Sequence, residues 1–317
     1  MQNTARSIVF FLISFLSAVV FAMSNCGQGT AHQSNAMNRL KVAAIQFPVV
    51  GDISFEAFQK KVEDFLIDAK KQGVGLVVFP ELITLDLVHD STPQELADVA
   101  REYTPRYFKK LQSWAQQYHL SIMGGSSPQL KNGEIYNTAF LALPDGRNFQ
   151  QDKLFLTPFE KEWGWKSGKD LKVFDAPWGR TTMLICYDCE FPAVSNQLST
   201  FHPDVILVPS MTEGSQGFHR VRWSAQARAI EHYAYVIHTG TVGGSEAVGP
   251  QYGRASFTTP QDEGFPGLIT EGTLNQNQMV VADIDLELLR KKRKSAGMYP
   301  ARDQEISKST FKTILVK

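Results

Sequence analysis

The chain has 317 residues, with 32 Lys+Arg balanced by 32 Asp+Glu, so its formal charge at pH 7 is zero. A broad nucleic-acid-binding surface needs a basic surplus to neutralise phosphates, and this balance argues against one. Hydrophobic residues at 43% and aromatics at 11% supply a core and exclude wholesale disorder, while three cysteines are too few for a disulfide scaffold.

Arg6 precedes Ile8–Met23, an uncharged run of 16 residues, and Asn25, Cys26 and the small polar stretch Gly27–Asn35 follow. A basic start, an apolar run and small residues afterwards read as a secretory signal; the run is short of the ~20 residues of a spanning helix. Ala22-Met23-Ser24 suits ordinary cleavage. Cys26 is an alternative lipidation site, although Met23 and Asn25 stand where a lipobox carries Leu and Gly or Ala. Ser34-Asn35-Ala36 reads instead as a non-native junction before Met37. The expectation is a signal, leader or non-native segment over 1–36 and one folded domain over 37–317. A native leader implies export or membrane tethering through that segment; a native start at Met37 implies a cytoplasmic protein.

From Met37 onward, Lys41–Phe47 reads as an apolar strand and Phe55–Lys71 as an amphipathic helix ended by Gly73-Val74-Gly75. Leu76–Phe79 is a strand buried on both faces and terminated by Pro80-Glu81. Thr104–His119 is a helix with Tyr107, Leu111 and Trp114 on one side. Leu120–Met123 is a strand closed by Gly124-Gly125, Ile135–Leu143 is another, and Pro144-Asp145-Gly146 is a turn. Thr181–Ile185 and Val205–Val208 are buried strands, with a helix over Phe191–Ser199 between them. A helix from about Phe218 to Tyr233 leads to strand Tyr235–Thr239; strand Met279–Ile284 and helix Leu286–Lys294 close the pattern. The alternation predicts one α/β domain with helices over sheet faces. The basic run Arg290–Lys294 reads as a solvated face.

Three residues suggest chemistry. Cys186 ends a strand where a helix begins, a placement that exposes a thiol near helix amides and favours the thiolate. Glu81 ends a buried strand at the sheet edge where α/β proteins bind ligands. Lys153 lies in Asp152-Lys153-Leu154-Phe155-Leu156, and a Lys among aliphatic residues implies partial burial and a carboxylate partner. Each has an ordinary structural explanation alone. Together they supply a nucleophile, a base and a positive group for an oxyanion, with no His required.

The ordered motifs resemble the nitrilase, or carbon–nitrogen hydrolase, superfamily. They are Leu76–Glu81 (LVVFPE), Tyr136-Asn137-Thr138-Ala139, Asp152–Glu160, Leu184–Pro192 (LICYDCEFP) and Ala227-Arg228-Ala229-Ile230-Glu231. Glu81, Lys153 and Cys186 are separated by 72 and 33 residues, as the family requires, and the resemblance spans roughly Leu40 to Arg302. It implies a four-layer α-β-β-α sandwich, with Cys186 as nucleophile, Glu81 as general base, Lys153 as oxyanion stabiliser and the backbone N–H of Tyr187 completing the oxyanion hole. It implies Glu160 as a supporting carboxylate, with Glu162 as the alternative. No metal or organic cofactor is implied. The implied partners are a small-molecule amide substrate and further copies of the chain, as a homodimer or higher oligomer joined by helices near the elbow.

Two departures from the family pattern stand out. Phe155 replaces a His that many members carry two residues after the catalytic Lys. The elbow reads Cys-Tyr-Asp, as in amidase and carbamoylase branches, rather than the Cys-Trp-Glu of nitrile-cleaving members. Amide hydrolysis is therefore expected, with N-acyl transfer or nitrile hydrolysis as alternatives and a non-catalytic or redox protein as a distant one. Cys186 and Cys189 form a CxxC pair whose spacing suggests a disulfide that would switch the nucleophile off in an exported protein. Trp163 and Trp165 either cap a pocket or fill core. Ser210–Arg222, with Glu213, His219 and Arg220, is expected to shape specificity, and Arg228 with Glu231 to form a structural pair on one helix turn.

Overall fold

The computed structural model describes residues 37–307 and 314–315; the signal, lipidation and leader expectations for residues 1–36 lie outside them. The first strand, β1 (Arg39–Val49), shows how the layers arise. Its residues are buried on both sides, and alternate ones belong to different cores. Leu40, Val42 and Ala44 pack with strand residues such as Val78, Val205 and Ile206. Ala43, Ile45 and Phe47 pack with the helix residues Phe58, Val62 and Leu66. A strand covered on both faces has no reason to alternate apolar with polar, which is why it reads as a continuous apolar run.

In chain order β1 is followed by α1 (Phe55–Lys71), β2 (Leu76–Val78), α2 (Pro93–Asp98), α3 (Thr104–Tyr118), β3 (Ser121–Lys131), β4 (Glu134–Ala142) and β5 (Asn148–Asp152). Then come α4 (Pro158–Glu162), β6 (Val173–Ala176), β7 (Gly179–Met183), α5 (Pro192–Leu198), β8 (Val205–Ser210), α6 (Ser215–His232) and β9 (Tyr235–Ser245). The last part holds β10 (Gly249–Gln251), β11 (Ser256–Asp262), β12 (Phe265–Glu271), β13 (Gln278–Asp285), α7 (Leu286–Ser295) and α8 (Pro300–Ser307). Ser54 caps α1, its Oγ accepting the Ala57 N–H at 3.1 Å.

The strands run β5-β4-β3-β2-β1 and then β9-β8-β7-β6. On one edge β1 pairs in parallel with β2. Its other edge pairs antiparallel with β13 over Arg39–Gln46, then in parallel with β9 over Gln46–Val49. The two half-sheets therefore meet at the C-terminal ends of β1 and β9, with β13 and β11 taking the remaining edges. Helices α1 and α3 cover one half-sheet, and α5 and α6 cover the other. This is the expected α-β-β-α sandwich. The C-terminal ends of the parallel strands β2, β7 and β8 point toward one region, where ligands bind in α/β sheets.

Three expectations change. Gly124-Gly125 does not close a strand; β3 continues to Lys131 with a bulge between Met123 and Ser126. Gly125 sits at φ +70°, and a Cβ there would lie 2.0 Å from the Pro80 carbonyl oxygen. The bulge thus presses β3 against the residue before Glu81, and Ser126 donates its N–H to that same carbonyl. The strand expected over Thr181–Ile185 ends at Met183, and Cys186–Glu190 forms a 3-10 turn. The run Arg290–Lys294 is not simply a solvated face: Arg290 and Arg293 hold Asp204 at 3.1 and 3.0 Å, and Arg293 also donates to the Tyr233 carbonyl.

The glycines give a paired test. Gly133 has φ +83°, but a Cβ there would have nothing within 4 Å, so Gly133→Ala should cost only the left-handed backbone penalty of about 1–2 kcal/mol. Gly125→Ala adds a backbone clash to a similar penalty, and we expect a clearly larger loss, above about 3 kcal/mol, in urea unfolding. Equal losses would mean that the close approach to Pro80 is unimportant.

Candidate active site

Four elements deliver the predicted residues to one place. Glu81 follows β2, Lys153 follows β5, Glu160 lies in α4, and Cys186 opens the turn after β7. Lys153 is fully buried, which rules out a snorkelling side chain, and its ammonium lies 2.7 Å from Glu81 Oε1 and 2.7 Å from Glu160 Oε2. Glu160 is equally buried and Glu162 is exposed, so Glu160 is the carboxylate that meets the Lys. Its Oε2 also accepts the N–H and hydroxyl of Thr157 at 2.8 and 2.7 Å, which fixes the start of α4.

Glu81 is held on both oxygens. Oε1 accepts from Lys153 and from Asn137 Nδ2 at 2.9 Å; Oε2 accepts the Met211 N–H at 2.9 Å. Asn137 donates to Glu160 Oε1 as well, at 2.7 Å, and so bridges the two carboxylates. The Cys186 thiol reaches the Glu81 carboxylate and lies 3.7 Å from the Met211 carbonyl. Cys186 has φ 47°, a left-handed conformation that a residue with a Cβ adopts at a cost.

The charges explain the ionisation. Burial pushes the Glu81 carboxyl above its ordinary value; Lys153 opposes this and the nearby Glu160 adds to it. Burial works against a charged Lys153, but Glu81 and Glu160 outweigh it and hold the ammonium above its usual range. Cys186 corrects the sequence reading. The thiol is buried, not exposed, and burial together with the Glu81 charge pushes it well above the ordinary thiol value despite Lys153. Cys186 is therefore a neutral thiol next to a carboxylate, not a free thiolate.

Asn137 and Asp188 were missed as site residues, although both stood inside recognised motifs. Asp188 is buried and accepts the N–H groups of Leu154, Phe155 and Ile185 at 2.8–3.2 Å, tying the Lys153 segment to the Cys186 turn. Phe155 stacks on Phe191 at 3.6 Å between ring centres, so an aromatic pair occupies the ground where the resemblance implied a His. The Tyr187 ring meets Phe191 edge-on at 4.7 Å. Cys189 is a free, buried thiol whose Sγ lies 3.7 Å from the Val221 carbonyl; Cys186 is free too, so the suggested disulfide is absent.

A cavity of about 450 Å³ opens over Cys186, with Tyr187, Phe159 and Met211 in its wall. The segment expected to shape specificity lines it, contributing Glu213 and Arg220; His219 instead stacks on Trp223. Trp165 is buried in the core, while Trp163 lines a smaller adjoining cavity of about 180 Å³. Arg228 and Glu231 pair at 3.0 Å, as expected. Among the described residues, no cluster of three or more His, Cys, Asp or Glu could hold a metal ion.

Comparison with known proteins places the chain in a family. The family model for carbon–nitrogen hydrolases matches residues 41–294. The chain is 33% identical over 274 residues to a Bacillus subtilis protein named "Probable hydrolase YhcX", covering 84% of this chain and 53% of that protein, so it spans about half of that relative's length. It is 23% identical to a Xenopus tropicalis protein named omega-amidase NIT2, covering 85% of this chain and 97% of that one. The crystal structure of Saccharomyces cerevisiae Nit3, from branch 10 of the nitrilase superfamily, superposes with a TM-score of 0.69 at 20% identity, covering 83% and 96% of the two chains, and shares the fold. The chain belongs to the carbon–nitrogen hydrolase family.

Asp188 gives a pH prediction. Burial raises its carboxyl from an ordinary 3.8 to about 7. Between those values the unfolded chain has lost the proton and the folded chain keeps it, so the group's contribution to stability falls as pH rises. Asp188→Asn removes the titration while destabilising the clamp. The stability gap between wild type and variant should therefore narrow from pH 5 to 7, approaching about 1.4 kcal/mol per pH unit at the acid end, in urea melts. A gap independent of pH would show that Asp188 ionises normally.

Proposed function

We propose that the protein hydrolyses a small carboxamide or carbamoyl compound through a thioester on Cys186. The observation that carries this reading is the meeting of Glu81, Lys153 and Cys186 from three separate elements, with the Cys186 thiol in the wall of the cavity and the Glu81 carboxylate beside it. Cys-Tyr-Asp at the elbow and a relative named as an omega-amidase favour an amide over a nitrile.

In the first half-reaction Glu81 takes the thiol proton as sulfur attacks the carbonyl carbon. The carbonyl oxygen gains negative charge, which Lys153 and the Tyr187 N–H stabilise. The intermediate collapses, the C–N bond breaks, and the protonated Glu81 gives its proton to the departing ammonia or amine. In the second half-reaction Glu81 removes a proton from water as the water attacks the thioester. The carbon–sulfur bond breaks, the thiol regains a proton, and the acid product leaves. A raised Glu81 suits this role, because a base that also delivers protons works best with a pKa closer to the working pH. Glu160 and Asn137 position the ammonium and the base.

Ammonia release from a panel of small amides tests the reading. Cys186→Ala should abolish turnover, and Glu81→Gln should lower kcat/KM by about 10²–10⁴-fold. Activity should rise with pH through an apparent pKa above the ordinary carboxyl value of 4.5, since protonated Glu81 cannot accept the thiol proton. It should then hold through pH 9, because Cys186 and Lys153 both titrate above their ordinary values. Turnover that survives Cys186→Ala, or that falls away in alkali near the ordinary thiol value of 9.0, would refute the mechanism.

A further inference from the structure

The cavity over Cys186 carries acidic groups that the reaction does not use. Glu190 lies in its wall, four residues beyond the nucleophile in the same turn. Glu190 Oε2 accepts from Arg220 Nε at 3.1 Å, but Oε1 is buried and has no hydrogen-bond partner among the described residues. A buried carboxylate oxygen without a donor costs free energy, and a ligand that brings a donor recovers it. Glu213 stands in the same wall, exposed, with no hydrogen-bond or ion-pair partner among the described residues.

The balance of charge around the cavity is negative. Beneath it, the Lys153 ammonium is shared between Glu81 and Glu160 and leaves that group one negative charge in excess when both carboxylates are ionised. In the wall, the Arg220 guanidinium is matched by Glu190, and Glu213 is unmatched. An anionic substrate would have to compete with Glu190 for Arg220 while approaching unpaired carboxylates. A cationic one meets the unmatched Glu213 and the Glu190 carboxylate in the same wall.

Resting on the reading of Cys186 as the acyl-forming thiol, we propose that the substrate is an amide carrying a primary ammonium or guanidinium group on its acyl chain. Glu190 and Glu213 receive that cation while the carbonyl lies over Cys186. Phe159, Met211 and Val221 offer apolar wall to the methylenes between the two ends. The two glutamates are specificity residues and take no part in proton transfer.

The test has two readouts on the full chain. The first is independent of turnover: Cys186 is labelled with three methanethiosulfonates of similar size (aminoethyl, sulfonatoethyl and neutral ethyl), and each rate is divided by that with free cysteine. The cationic reagent should label about 10-fold or more faster than the anionic one, within the range that a charged cleft produces, and Glu190→Gln and Glu213→Gln should each shrink the ratio several-fold. The second is ammonia release from 5-aminopentanamide, pentanamide and the monoamide of glutaric acid, with kcat/KM expected to be highest for the first. Labelling rates that ignore charge, favour the anion, or keep their bias in both variants overturn the proposal. Cys186-dependent hydrolysis that is equal across the three amides, or fastest for the glutaric monoamide, overturns it while leaving the hydrolase reading intact. A cation bias that tracks both glutamates with no amide hydrolysed supports cation recognition and removes the hydrolase reading. Melting temperatures of the two variants within a few degrees of wild type exclude misfolding as the cause of a lost bias.

Discussion

The site depends on one ammonium, that of Lys153, held in the interior between two carboxylates. Removing these charges from water costs several kcal/mol per ion, and the arrangement is tolerable only if nearly every lone pair and proton is engaged. Glu81 receives three donors, Glu160 receives four, and Asn137 spans the gap between them. Those donors come from strand β4, from the segment after β5, from the residue before α4 and from the residue after β8. The requirement to satisfy buried charge thus pins together elements far apart in sequence. The hydrogen bonds that make the charges bearable also fix the Glu81 carboxylate and the Lys153 ammonium near the thiol. Stability and preorganisation share the same atoms, so the cluster cannot be loosened without losing both.

That arrangement decides how Cys186 is activated. A low-dielectric setting and an adjacent carboxylate both disfavour a thiolate, and one ammonium already shared between two carboxylates does not reverse this. In the proposed reaction, activation comes from proximity to the Glu81 carboxylate, whose own proton affinity has been raised by the same burial. The left-handed backbone at Cys186 turns the chain sharply out of β7 into the 3-10 turn and presents the thiol to the cavity. The strain is held in place by Asp188, which gathers three backbone N–H groups from the two segments carrying Lys153 and Cys186.

Much of this was legible in the sequence, because each of the three reacting residues follows a strand marked by a continuous apolar run or by a Lys among aliphatic neighbours. The alternation of strands and helices, with Leu76–Phe79 a continuous apolar run, predicted an α/β domain; the four layers came only from the resemblance to the carbon–nitrogen hydrolase family. The bridging role of Asn137 was not legible: its partners lie 56 and 23 residues away, and only tertiary folding brings them together. Gly124-Gly125 looked like a strand end because a bulge and a turn use the same residues; which one forms is decided by the approach of Pro80. The Arg290–Lys294 run misled because charge alone does not say which side of a helix faces the protein, and Asp204 waits on the inner side for Arg290 and Arg293.

The fold separates chemistry from recognition. The Glu81, Lys153 and Glu160 side chains lie at the bottom, held by buried strands and engaged with one another. The groups free to meet a ligand come from Glu190 in the elbow turn and from the stretch between β8 and α6, where side chains are half-buried or exposed. A change at the rim alters the charge or shape offered to a substrate without disturbing the hydrogen bonds around Lys153. A change at the bottom cannot be so contained, because Lys153 and Asn137 each bridge both carboxylates.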